Sequence, residues 1–400
     1  MDTSPINAYA AFCRRRREGG RQRVLTPFGP PGGVRHVLRQ GRTLLDFASN
    51  DYLGLSRHPE LIGRSAEWAQ RWGAGSTASR LVCGNLALFG QLEEKLAWGK
   101  RHEAALLLGS GFQGNGALLA ALLDRQVLGH APLLFSDRLN HASIHHGCRA
   151  AGVRQIRYRH NDLDHLERLL KRHAGEKRSR FILTETVFSM DGDRVDLGAL
   201  IALKERYGAF LYLDEAHATG VIGPKGFGLS AAFPGQVDLA MGTFSKALGG
   251  FGAYACCSNA LKAYLVQNCA GFIYATALPP SVLGAMDAAL DLIPTMDQER
   301  ARLLAYGQRL RRALAEMGLS YGDSDTQIVP AIIGPEQQAM EMAAALREVG
   351  ILAVAIRPPT VPEGTSRLRF SLSATHTDAD LTRLIEALQR LVVEHGMGAP

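Results

Sequence analysis

Residues 209–220, AFLYLDEAHATG, and residues 237–250, VDLAMGTFSKALGG, decide how this chain is read. Each begins as an apolar run without polar alternation, the pattern of a strand covered on both faces. Each then stops at a residue that is expensive to bury. Asp214 ends the first run, and a carboxylate there needs a cation or hydrogen-bond donors. Lys246 follows the second, between Ser245 and a glycine turn, and lysine resists burial unless it is paired or chemically engaged.

Outward from this pair the same rhythm continues. AALLL (104–108), PLLFS (132–136), RFILTE (180–185) and GAYACCS (252–258) read as strands. LDHLERLLKRH and LGALIALKERYG between them place apolar residues three and four apart, as helices do. The alternation predicts an α/β fold, a mostly parallel sheet flanked by helices, with ligands bound beyond the carboxyl ends of the strands. After residue 290 a long helical segment precedes TQIVPAIIG, a helix around MEMAAALREVG, then ILAVAIR, SRLRFSLS and a last helix. This reads as a smaller α+β unit. The expected division is 1–45, a basic helix and connector; 46–290, a large ligand-binding domain; and 291–400, a small C-terminal domain.

Composition excludes little but bounds much. The chain has 400 residues, 46% hydrophobic and 21% charged, with a net charge of +7. That is an ordinary globular composition with a mild preference for anionic ligands. Six cysteines show no CxxC pairing and read as reduced thiols. No segment is apolar and long enough to span a bilayer, and a cytoplasmic location is expected. The arginine run Arg14–Arg17 has no interleaved aromatics for base stacking, so a solvated helix face is preferred to a nucleic-acid arm.

The residues after each strand give the chemistry. GSGFQGNG (109–116) ahead of a helix offers turning glycines and an anion-binding helix start. Gly109, Gly111 and Gly114 also spell a dinucleotide motif, with Asp137 as the ribose-binding acid. His141, His145 and His146 lie at helical spacing without a zinc-protease pattern, so no metal is expected. Glu185 ends one strand and Ser189 follows it. A phosphate loop, Asp214 and Lys246 together match pyridoxal 5'-phosphate. That cofactor needs an amine for its aldehyde, amides and hydroxyls for its phosphate, and an acid beside its ring nitrogen. A nicotinamide cofactor explains the glycines but leaves Lys246 and Asp214 without a task.

With those residues placed, the chain resembles the α-oxoamine synthases among the aspartate-aminotransferase-like, fold-type I pyridoxal phosphate enzymes. The resemblance runs in order through FASNDYLGLSRHPE, GAGSTASRLVCGN, DRLNHASI, ETVFSMDGD, LDEAHATGVIG, TFSKALGG, YATALPP and IRPPTVPEGTSRLRFSLSATH, nearly the whole length. AIRPPTVP is similar to the biotin-pathway branch, which implies condensation of L-alanine with a pimeloyl thioester carried on coenzyme A or acyl carrier protein. A sibling activity on glycine or serine is the alternative.

The resemblance implies roles residue by residue. Lys246 forms the Schiff base, Asp214 pairs with the ring nitrogen, His217 bonds the ring hydroxyl, and His141 stacks on the ring. Gly111, Phe112, Ser189 and Thr243 hold the phosphate, and Thr276 reaches it across the interface of a homodimer with shared sites. Asn50 lies near substrate, Arg357 and Thr360 hold or border the amino-acid carboxylate, and Arg21, or Arg23 in the same run, meets the acyl substrate.

Overall fold

The structure, a computed structural model, describes residues 4–30 and 32–396. Its centre is a seven-stranded sheet. The strands are β4 (Ala104–Leu108), β5 (Leu133–Asp137), β6 (Gln155–Tyr158), β7 (Arg180–Glu185), β8 (Ala209–Asp214), β9 (Leu239–Thr243) and β10 (Ala253–Cys257), in the order β4-β10-β9-β8-β7-β5-β6. β6, β5, β7, β8 and β9 pair in parallel, and β10 alone runs against its two neighbours, β9 and β4.

The uninterrupted apolar runs are explained by burial on both faces. Leu134, Phe181, Leu183, Tyr212 and Met241 face one core with Leu118, Ile144 and Cys148. The alternate residues Leu133, Phe135, Ile182, Leu211, Leu213 and Ala240 face another with Leu166 and Leu200. Each strand therefore lacks the polar alternation of a half-exposed sheet. The edge strand β6 does not share this pattern. Gln155 and Ile156 are only partly buried, Arg157 is exposed and Tyr158 alone is buried, so QIRY carries too little apolar signal to be read as a strand in sequence.

Two smaller sheets complete the fold. β1 (Phe28–Gly29), β2 (His36–Arg39), β3 (Arg42–Asp46) and β12 (Ile351–Leu352) form one, with β3 and β12 parallel. β11 (Ile328–Gly334), β14 (Ser366–Ser371) and β13 (Val354–Ile356) form the other. ILAVAIR thus contributes to two sheets, and the segment read as a connector after the basic helix Pro5–Glu18 supplies the short strand β1. No helix among the described residues is long and apolar enough to cross a membrane.

Candidate active site

The carboxyl ends of the parallel strands gather the chemistry. Asp214 closes β8, Glu185 closes β7, and Thr243 closes β9. The chain then makes a short return into β10, and Lys246 sits in that return. Gly249 shapes it: its φ is +65°, and a Cβ would lie 2.3 Å from the Ser56 amide nitrogen. No side chain fits there.

Asp214 is buried and oriented. Its Oδ2 accepts from Asn115 Nδ2 at 2.7 Å, and its Oδ1 from the Ala216 amide at 2.9 Å. Asn115 is held by the Tyr212 hydroxyl, which donates to its Oδ1 at 2.5 Å, and its Nδ2 also reaches Ser143 Oγ at 2.9 Å. Ser143 Oγ in turn lies 2.7 Å from Nδ1 of His141. One amide therefore positions both the acid and the imidazole. Neither Asn115 nor Ser143 is signalled locally, because Asn115 is buried inside a helix that reads as glycine followed by leucine and alanine.

Lys246 has no hydrogen bond or ion pair with any described residue. Burial lowers its pKa against the opposing charges of Asp214 and Glu185, to about 8. At pH 7 about a tenth of the amine is therefore uncharged, far more than for an ordinary lysine. Glu185 is buried, and burial first and the Asp214 charge second push its carboxyl well above the usual range. Its Oε1 accepts from the His141 amide at 2.5 Å.

His217 is buried, and burial together with the charges of Lys246 and Arg369 holds it well below the ordinary histidine range. Its Nδ1 is 2.7 Å from the Tyr52 hydroxyl, its carbonyl accepts from Gln327 Nε2 at 2.9 Å, and its Nε2 bonds no described residue. His141 lines a cavity of about 600 Å³ together with Asn140, Ser189, Met190, Pro359 and Thr360. Burial, more than the neighbouring charges, lowers its pKa.

The helix Gly111–Leu122 begins beside β9. Ser110 caps it, accepting from the Gln113 amide at 3.4 Å. A Cβ on Gly111 would sit 2.6 Å from the Thr243 methyl, so only glycine lets the helix start approach the end of β9. Phe112 projects outward, 51% exposed. Thr276 is exposed on the same side, bridging Ser79 and bordering a crevice with Gly109.

Arg369 of β14 was not singled out in sequence, yet it is central. It is buried, donating from Nε to the Ser189 carbonyl (2.5 Å), from Nη1 to Ser371 Oγ (2.7 Å) and from Nη2 to Asn50 Oδ1 (3.1 Å). It has no carboxylate partner among the described residues, whereas its strand neighbour Arg367 pairs with Asp191 at 2.6 Å. Two arginines on one face of a buried strand, SRLRFS, were the available signal. Arg357 and Arg21 instead pair with one acid, Glu336.

The dinucleotide reading loses its acid. Asp137 is fully buried, and its oxygens accept from the Leu139 amide (2.8 Å) and the Asn161 amide (2.9 Å) and meet His160 Nδ1 at 3.1 Å. His160 also contacts Asp193 at 2.9 Å. Burial opposes the charge on His160, but the bonds to Asp137 and Asp193 outweigh it and push its pKa up to about 10. This is an internal Asp–His–Asp clamp, closed to a ribose. Among the described residues no group of His, Cys, Asp and Glu side chains is arranged to hold a metal ion.

Comparison with known proteins gives the family. Residues 42–388 match the family described as aminotransferase class I and II. The 8-amino-7-oxononanoate synthase of Gluconacetobacter diazotrophicus is 57% identical over 94% of both chains. Among solved structures, the S. paucimobilis serine palmitoyltransferase with pyridoxal phosphate and myriocin bound superposes with a TM-score of 0.90, at 26% identity over 99% of both chains. The 8-amino-7-oxononanoate synthase of Francisella tularensis superposes at 0.75, with 26% identity over 88% of this chain and 99% of that one. The chain belongs to the class I and II aminotransferase family, in its α-oxoamine synthase branch.

Proposed function

We propose, from that membership, that the protein is a pyridoxal phosphate-dependent acyltransferase of biotin synthesis that condenses L-alanine with a pimeloyl thioester. The products are 8-amino-7-oxononanoate, carbon dioxide and the free thiol carrier. The observation that carries the reading is the unpaired Lys246 amine, lowered to about 8, within electrostatic reach of an oriented Asp214.

The residues fit the cofactor. The Gly111 cradle and the helix start beside Thr243 suit a phosphate, and Ser189 lines the cavity that contains His141. Lys246 offers the amine that anchors the aldehyde. Asp214 is turned by Asn115 and Ala216 to meet a ring nitrogen, and His217 has Nε2 available for the ring hydroxyl. When bound, the cofactor supplies an electron sink for the carbon–carbon bond making and breaking at the amino-acid α-carbon.

The chain's own groups do the rest. Arg369 holds the α-carboxylate of alanine, because its guanidinium is buried beside Asn50 and Tyr52 without an acid of its own. Arg357 is already engaged by Glu336. Lys246, partly neutral near pH 8, takes the α-proton and later returns one. His141, braced by Ser143, forms the wall above the reacting atoms. The new bond joins the α-carbon to the acyl carbonyl. The carbon–sulfur bond breaks and releases thiol, and the carboxylate leaves as carbon dioxide.

The exposed aromatic and aliphatic side chains near the phosphate end, Phe112, Phe251, Tyr274, Leu81 and Val82, support a second copy covering this edge. In such a homodimer Thr276 would meet the partner's cofactor. Incubation of the loaded protein with alanine and pimeloyl-coenzyme A, with products read by mass spectrometry, tests the assignment. The expected product is 8-amino-7-oxononanoate. Turnover with glycine or serine in place of alanine would move the protein to a sibling activity, and no acyl product from any of the three would reject the proposal.

A further inference from the structure

Two cations that the sequence assigns to substrate share one acid. Glu336, the first residue of the helix Glu336–Glu348, accepts from Arg357 Nη1 at 2.9 Å on Oε1 and from Arg21 Nη2 at 3.2 Å on Oε2. Arg357 Nη1 also donates to the Gly20 carbonyl at 2.9 Å. The acid therefore ties the N-terminal segment to the turn after β13. Beside it lies a cavity of about 170 Å³ lined by Arg16, Arg21, Arg23 and Arg357. Pro359 and Thr360 line both this cavity and the one that contains His141 and Ser189. The arginine cavity is thus next door to the reacting site.

The condensation brings in two carboxylates, one on alanine and one at the far end of the pimeloyl chain. Arg369 accounts for the first. We infer that Glu336 is a resident stand-in for the second. It holds Arg21 and Arg357 with the two oxygens of one carboxylate, until the terminal carboxylate of the acyl chain offers the same two oxygens to the same guanidiniums. Glu336 then sets how strongly the site favours acyl chains with a charged end. A neutral-ended chain leaves the bridge intact and gains nothing from the arginines. A charged-ended chain replaces it, its own carboxylate taking over the tie between Arg21 and Arg357. The inference rests on the acyl-substrate reading above.

Binding separates the alternatives. The monoamide of heptanedioic acid carries one terminal carboxylate and heptanamide carries none. Both are titrated calorimetrically into the cofactor-loaded wild type, Glu336→Gln and Glu336→Asp, each checked for an unchanged melting transition. Glu336→Gln is expected to bind the monoamide roughly fivefold more tightly or better, the scale of one partly exposed charge pair. Heptanamide should stay within about twofold and Glu336→Asp close to wild type.

Unchanged or weaker monoamide binding in Glu336→Gln, or an equal shift for both amides, would reduce Glu336 to a structural tie. A correct monoamide response with no turnover of alanine and pimeloyl-coenzyme A would sink the functional assignment alone. Normal turnover with an unresponsive Glu336→Gln would sink this inference alone.

Discussion

Two lysines sit close to adjacent acids, and they behave in opposite ways. Lys100 is completely buried and ion-paired with Glu215, which also accepts from the Ser230 amide at 3.0 Å, and Thr219 Oγ1 lies 3.4 Å from the ammonium. Burial works against its charge, yet Glu215 more than compensates and raises its pKa above the ordinary lysine value. Lys246 stands near Asp214, one residue earlier, but the oxygens of Asp214 are turned to Asn115 and Ala216. Burial wins there, and the amine falls to about 8. Burial alone does not make a lysine reactive. What separates the two is whether the neighbouring carboxylate bonds the amine directly: Glu215 pairs with Lys100, whereas neither oxygen of Asp214 bonds Lys246.

Exchanging the two fates breaks the comparison most sharply. Lys246→Ala should cut condensation of alanine with pimeloyl-coenzyme A by about 10⁴-fold or more and abolish borohydride-fixed cofactor labelling. The melting temperature of the cofactor-free protein should not fall, because there the amine makes no hydrogen bond or ion pair with a described residue. Steady-state rates, peptide mapping and thermal melts on one preparation check all three, and retained labelling would refute the assignment. Lys100→Met should do the reverse. It leaves Glu215 buried without its cation, at a cost of about 3–5 kcal/mol in urea unfolding. Loss of activity should follow only as far as the folded fraction falls.

The smallest effect sharpens the contrast. The neutral fraction of an amine with a pKa of about 8 rises roughly tenfold from pH 7 to pH 9. Capture of pyridoxal phosphate by the cofactor-free protein, followed by absorbance in stopped flow, should therefore rise through about pH 8 and level off. A profile that continues to climb past pH 10 would mean that Lys246 is paired like Lys100.

The parts of the fold visible in sequence were those whose cause is local. β4, β5, β7, β8, β9 and β10 announced themselves because both faces are covered. Asp214, Thr243 and Lys246 stood out because polar groups at the ends of such strands need a reason. The missing pieces depend on distant partners. Tyr52 meets His217 from 165 positions away, and Arg369 meets Asn50 from 319. No spacing rule links such pairs. Asn115 was hidden for a related reason, since its amide serves residues of two other elements while its own helix reads as plain apolar packing.

The lone reversed strand has one last consequence. β9 returns directly into β10, with Thr243 opposite Ala253, and the Phe244 amide closes the base of the loop on the Gly252 carbonyl at 3.0 Å. A second tie, from the Gly250 amide to the Phe244 carbonyl at 2.8 Å, braces it from within. The lysine is therefore a fixed post carrying a flexible arm. Its Cα has almost nowhere to go, while four side-chain torsions let the amine swing away and come back. On the proposed reading, each turnover would then proceed by rotation about single bonds, with the backbone standing still.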